Sequence, residues 1–278
     1  MLAIGREAAV LPQSGGAMMP SGEWGLLRYW VAFAVGLAVL YAAAAQAACD
    51  GGSLGGGPVK SVIDGRTLQL ADGREVRLAG IEVADQSKAA LEALVAGQDV
   101  ALSRAGPDTD RYGRTLALAT VRGQPVQVAL LERGVARISA NIGDFSCAET
   151  FRNSERKARA AGLGLWADPH YFIRNAGEPG QILAIRGQFA VVEGTVLSVR
   201  ESGAQIYVNF GRRWSDDFTV TVPKRSERNF NTAGLPLKKL AGQRVRVRGW
   251  VEERGGPWIE AQAPEQIEIA ERGSDGHE

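Results

Sequence analysis

Two histidines and two cysteines in 278 residues are too few for a cysteine-rich zinc site, a two-histidine metalloprotease helix or a histidine cage. Chemistry in this chain must run on carboxylates, arginines and hydroxyls. In the C-terminal third, Arg244, Arg246 and Arg248 alternate with Val245 and Val247, so the valines face a core and the arginines share the outer face of a strand. Arg212, Arg213 and Trp214 form a second basic-aromatic patch. Arginines beside aromatic rings suit the phosphates and bases of a single strand, and they equally suit an ordinary solvated face. Trp250 and Trp258 fit either a barrel core or a protein-docking surface. The formal net charge of +1 supplies no overall field toward a polyanion, so such a partner must be held by local patches.

The N-terminus reads as an address. Trp30 to Ala45 is an unbroken apolar run, preceded by Arg28 and followed by the small-x-small pattern Ala45-Gln46-Ala47. This predicts a signal peptide over residues 1–47, cut after Ala47, with the start at Met1 or, for a conventional length, at Met18 or Met19. The run is shorter than the roughly 20 residues of a spanning helix, so no transmembrane segment is expected in the mature chain. An exported protein, periplasmic or secreted, meets oxidising surroundings, and Cys49 and Cys147 are expected to form one disulfide. Closing a loop of about 100 residues is worth up to about 4.7 kcal/mol in the chain-entropy picture.

The elements that must position these groups are short strands. Glycine, at 35 of 278, is well above its usual share of about 7%. Val59–Ile63, Thr67–Leu70 and Glu75–Ile81 are separated by Asp64-Gly65 and Asp72-Gly73 turns, a meander. A helix over 86–96, strands over 99–103 and 115–121, and helices over 125–133 and 147–161 follow. This order predicts an α+β, mainly β chain, with a five-stranded OB-type barrel and three helices over 59–169. Residues 170–187 read as a linker between separately folding units. Strands over 191–199, 205–210, 217–222, 244–251 and 258–262, with a short helix over 235–240, predict a second small OB-like barrel over 188–270. A polar, frayed tail spans 271–278.

Four segments in order then carry a resemblance: Val62-Ile63-Asp64-Gly65-Arg66-Thr67, Val76 to Asp85 (VRLAGIEVAD), Asp110-Arg111-Tyr112-Gly113-Arg114, and Gly162-Leu163-Gly164-Leu165-Trp166. Residues 59–169 resemble the staphylococcal-nuclease-like, or thermonuclease, family. That resemblance implies a calcium-dependent phosphodiesterase on an OB barrel. It assigns Arg77 and Arg114, with Tyr112, to nucleic-acid or phosphate binding, Glu82 and Asp64 to the metal, and Arg77, Asp85 and Arg114 to catalysis. Guanidinium forks bind phosphate bidentately and stabilise charge growing on a transition state.

The departures from the family pattern fall on the metal. Arg66 stands where the second Asp of the turn is expected, Glu82 replaces the calcium-binding Asp, Ala84 replaces Pro, and Asp85 replaces the general-base Glu. Calcium takes six to eight oxygen ligands, and an arginine offers none. Pairing of Arg66 with Glu82 in place of the cation is one expectation. Three functions remain open at this point: a nucleic-acid or phosphate binder with weak or absent hydrolysis, an active endonuclease using calcium, and an envelope scaffold engaging a protein partner through its second barrel. Arg77 and Arg114 are equally consistent with plain strand-end pairs to Asp64, Glu82 or Asp85.

Overall fold

The computed structural model describes residues 51–84, 86–140, 142, 145–213 and 215–270. The expected signal peptide with its cleavage residue Ala47, Cys49, Asp85, Trp214 and the tail from 271 lie outside these residues. No helix among the described residues is long and apolar enough to cross a membrane.

The first half runs β1 (Ser53–Asp64), β2 (Thr67–Leu70), β3 (Glu75–Leu78), β4 (Ile81–Val83), α1 (Ser87–Val95), β5 (Asp99–Thr109), β6 (Thr115–Val121), β7 (Gln124–Pro125), α2 (Val126–Glu132), β8 (Ala136–Ile138) and α3 (Phe145–Ala160). The expected Asp-Gly turn closes the β1–β2 hairpin, where Asp64 pairs with Thr67 and leaves Gly65 and Arg66 at the tip. Strand order is β3-β2-β1-β5-β6, and a parallel β3–β6 pairing closes the five strands into a barrel. Its core holds Leu68, Leu70, Val76, Leu91, Leu130 and Leu131 at zero exposure. The buried Gln127 amide ties α2 to the closing strands: its Oε1 accepts from Ala119 N, and its Nε2 donates to Ala117 O at 3.0 Å and Ala79 O at 3.3 Å.

The strand expected over 99–103 runs on to Thr109, and two further boundaries in this half differ from the sequence expectation because of a glycine. β1 begins six residues before Val59, because its glycine-rich start lies against β5, where Gly56 pairs with Ala101. A Cβ on Gly56 would stand 2.0 Å from the Val100 carbonyl oxygen, so only glycine permits this approach. The expected strand 75–81 breaks at Gly80, which has φ of +77° and no room for a Cβ beside Ile142. The break sends Arg77 along β3 and Glu82 along β4.

The second half runs β9 (Arg174–Asn175), α4 (Pro179–Leu183), β10 (Phe189–Thr195), β11 (Ser198–Ser202), β12 (Gln205–Asn209), β13 (Thr219–Pro223), α5 (Glu227–Thr232), β14 (Arg244–Trp250), β15 (Glu252–Arg254), β16 (Gly256–Glu260) and β17 (Ile267–Ile269). Its connectivity repeats the first barrel. β10 with β11 acts as a broken first strand, β14 with β15 as a broken fourth, and β13–β16 supplies the parallel pair. The stretch expected as a linker carries α4 and also β9, which pairs in parallel with β10. The short helix expected over 235–240 is a single 3-10 turn, Leu237–Leu240.

The arginine alternation on β14 has an outcome that alternation alone does not reveal. Val245 and Val247 are core residues as expected. On the outer face Arg244 is exposed, but Arg246 is 3% and Arg248 0% exposed. Helix α3 of the first barrel covers that face. Arg248 Nη1 donates to both Glu155 oxygens at 3.0 and 2.8 Å, and Nη2 donates to Glu268 Oε2 at 2.8 Å. Arg246 reaches Glu268 at 3.5 Å and pairs with Glu193. Arg159 reaches Glu155 at 3.7 Å. Buried charges persist only when paired and hydrogen-bonded; this cluster pairs its charges across two barrels, and Arg248 Nε is left without an acceptor among the described residues.

Removing one partner of a buried pair strands the other, so Glu155→Ala should cost about 3–5 kcal/mol. A urea titration reads this as a lower midpoint; a loss below about 1 kcal/mol, the range of exposed pairs, would contradict the buried character of the cluster. Burial opposes the charge of Glu268, but Arg248, Arg246, Arg159 and Arg152 outweigh it and hold the carboxyl below the usual glutamate range. Its contribution is therefore present above the unfolded glutamate value and lost as pH falls through the depressed folded value. Thermal melts across that acid window should lose this increment in the unmodified protein and show a shallower acid slope in Glu268→Gln.

Candidate functional site

The residues singled out by type and spacing converge on one cleft of about 210 Å³, lined by Arg66, Arg77, Glu82, Asp110 and Ser139 among others. Four elements bring them there. The β1–β2 tip presents Arg66, whose backbone N–H donates to Asp64 Oδ1 at 2.8 Å and whose carbonyl accepts from Leu78 N. β3 presents Arg77, opposite Thr67 in the ladder. β4 presents Glu82, opposite Arg137 of β8. The β5–β6 turn presents Asp110 to Arg114.

Arg66 and Glu82 form an ion pair, both largely buried, and Arg66 Nη1 also donates to Ile81 O at 2.9 Å. The guanidinium thus stands against the carboxylate that the motif places at the metal position. Arg114 is held by its own turn: Nε donates to Asp110 Oδ2 at 2.8 Å, and Nη2 lies 2.6 Å from the same oxygen. Asp110 Oδ1 accepts from the backbones of Tyr112 and Arg114. Burial opposes the Asp110 charge, yet these bonds win and keep its carboxyl below the usual range.

Arg77 is the least engaged of the three arginines. Its contacts are Thr67 Oγ1 at 3.3 Å and Asp64 Oδ2 at 3.9 Å. Burial, then the positive charges of Arg66 and Arg114, push it below an ordinary arginine, so an added anion would relieve the repulsion. Tyr112 is 67% exposed and stands between the guanidiniums of Arg111 and Arg114, at 4.7 and 5.2 Å from its ring centre. A flat ring offered to solvent beside two cations suits a base above a phosphate.

Asp85 lies outside the described residues, so it receives no place here. Asp64, Arg66, Arg77, Glu82, Asp110 and Arg114 are brought together, with Tyr112 at the edge. The cleft also has a wall that the motifs do not announce. It shares Glu82, Ser139 and Ala140 with an adjoining cleft of about 360 Å³ that reaches Phe189 and Trp250 of the second barrel. Arg137 of β8 is buried, with its guanidinium 5.0 Å from the ring centre of Tyr171 and 5.2 Å from that of Phe189. Trp250 was the one sequence signal toward this wall, and its ring packs edge-on to Phe189 at 6.1 Å.

Comparison with known proteins gives a consistent picture. A family model described as staphylococcal nuclease homologue matches residues 73–168. Protein ParB of Escherichia coli is 33% identical over 133 residues, covering 41% of this chain and 73% of that protein. A protein of Haemophilus influenzae named as an uncharacterized endonuclease is 33% identical over 134 residues, covering 44% of this chain and 70% of its own.

Asp110 carries four bonds of the turn that aims Arg114. Asp110→Ala should lower stability by about 1–2 kcal/mol, while Asp110→Asn, which keeps an acceptor for the two backbone N–H groups, should lose less. Equal midpoints for both variants in urea would show that the carboxylate does not organise the turn.

Proposed function

Because the chain belongs to the staphylococcal nuclease homologue family, we propose that it is an exported protein that binds nucleic acid, or another phosphate-bearing ligand, through Arg77 and Arg114, with phosphodiester hydrolysis weak or absent. The observation carrying this reading is the Arg66–Glu82 ion pair beside an under-engaged Arg77. A phosphate entering the cleft meets Arg77, backed by Thr67, beside the Asp110 turn that holds Arg114. Planar guanidiniums grip such an oxyanion in two places.

Hydrolysis requires more than grip. The calcium of this family wants six to eight oxygens. Among the described residues no three Asp, Glu, His or Cys side chains gather into a metal-binding group, and Glu82 is already neutralised by Arg66. The described residues, with a guanidinium seated against Glu82, do not fit calcium. A second reading, an active endonuclease using Glu82, Asp85 and a cation held differently, draws support from the Haemophilus relative being named an endonuclease and from retention of both arginines.

The discriminating experiment incubates purified protein with single-stranded DNA in calcium, manganese or chelator. Little cleavage is expected from the unmodified chain, and calcorimetric titration should give weak calcium binding that Arg66→Asp strengthens. Arg66→Asp combined with Asp85→Glu should recover cleavage better than either change alone, because metal placement and water activation are separate requirements. Brisk calcium-dependent cleavage by the unmodified chain, abolished by Asp85→Ala, would overturn the reading in favour of the enzyme.

Export is supported by the Trp30–Ala45 run and its Ala45-Gln46-Ala47 flank. Pairing of Cys49 with Cys147 is supported by the complete burial of Cys147 and by the absence of a free cysteine among the described residues. A thiol count on denatured, unreduced protein should find none; two free thiols would remove the pairing.

A further inference from the structure

The second barrel carries a groove of about 800 Å³, lined by Arg200, Tyr207, Asn209, Arg212, Arg254 and Trp258 among others. It shares no lining residue with the Arg77 cleft. Strand register builds its floor. Ser198, Asn209, Thr219 and Trp258 form one row across β11, β12, β13 and β16, and Arg200, Tyr207, Thr221 and Glu260 form the next. Side chains two apart share a face, and the alternate residues Ile206, Val208, Val220, Val222 and Ile259 fill the core. This face is therefore the outside of the barrel.

Two aromatic rings and three arginines stand on it. Tyr207 and Trp258 meet edge to face with centres 6.0 Å apart. Trp258 is half-buried, and its indole N–H is buried without a hydrogen-bond partner. The Arg254 guanidinium lies 4.9 Å from the centre of the Trp258 ring and is bonded to Glu252. Arg200 and Arg212 are exposed and form no ion pair among the described residues. The acid in the lining, Glu201, is neutralised by Lys224 at 3.1 Å and Lys238 at 2.9 Å. Glu260, at the end of the second row, is bonded to Gln262 and lines the other cleft.

We infer that this groove is a second ligand site, taking a few nucleotides of single-stranded nucleic acid independently of any hydrolysis in the first barrel. Two arginines unpaired among the described residues, in a lining whose one acid is already neutralised, favour a polyanion. Adjacent aromatic faces select bases over bare phosphate or an acidic peptide, because stacking needs only a π-face. The volume lies in the range of roughly 300–1,000 Å³ that encloses ligand-sized groups, which matches a few unpaired nucleotides better than the width of a duplex.

The test is fluorescence anisotropy of a labelled thymidine decamer with the full-length mature protein in chelator. Arg200→Glu with Arg212→Glu, both at exposed positions, should weaken binding about ten-fold or more and reduce the salt slope by about 1.4, at roughly 0.7 per phosphate contact. Tyr207→Ala should weaken it about five-fold or more, the lower end for one stacked base. Arg77→Ala with Arg114→Ala should leave binding that the Arg200/Arg212 change still diminishes. The inference is overturned if the Arg200/Arg212 variant binds as the unmodified protein does, if the Arg77/Arg114 variant loses all binding, or if a duplex competes as well as the single strand. Failure of the Arg77 reading instead appears in the cleavage assay and leaves this groove's salt slope intact.

Discussion

Arg248 is a fully buried cation that belongs to one barrel and finds one of its carboxylates in the other. Docking of α3 on β14 buries this guanidinium, and Glu155 together with Glu268 of its own barrel compensates the lost hydration. The consequences reach the candidate site through direct contacts. Glu155, held by Arg248, also accepts from Ile138 N of β8 at 2.8 Å. β8 pairs with β4, where Ile138 faces Ile81 and Arg137 faces Glu82. Glu82 in turn holds Arg66. A short line of packed, hydrogen-bonded groups thus runs from the outer face of β14 to the strand that carries the site's acid.

In the site itself, charge balance decides what chemistry is open. Asp64, Glu82 and Asp110 face Arg66, Arg77 and Arg114, and two of these arginines are already matched. Three carboxylates thus balance three arginines, with Arg77 the least engaged, and on the proposed reading this balance favours an anion over a cation without adding net charge. Recognition then depends on local geometry rather than on a long-range field.

Much of this was legible in the residues. The four motifs fix which strand ends meet, and the charges of Arg66 and Glu82 are complementary at positions those motifs bring together. The three main helices and the meander follow from apolar period and Asp-Gly turns. What escaped the sequence has physical causes. Alternation in 244–248 states which side chains share a face but not what covers that face. The two-residue strand β9 is too short to show a period. Helix α5, with sequence ERNFNT, has one apolar anchor, Phe230, and no periodic signal. The glycines opening β1 read as turn residues although their lack of a side chain is what lets the strand lie against β5.

The doubled barrel topology also bears on how the chain reaches its native state. Each barrel is closed by a parallel pair, Val76 with Thr115 in the first and Thr219 with Trp258 in the second, and the two closures span the same sequence distance. Loops of about 40 residues must be drawn in before these contacts give any return, and such non-local pairing places folding in the slow, millisecond-to-second class. The surface on which α3 docks includes β14, which is itself secured to β10 and β17. The ionic cluster can form only once β14 is in place to receive α3, and the closing strands β3 and β16 that set these long loops are also the ones that carry Arg77 and Trp258.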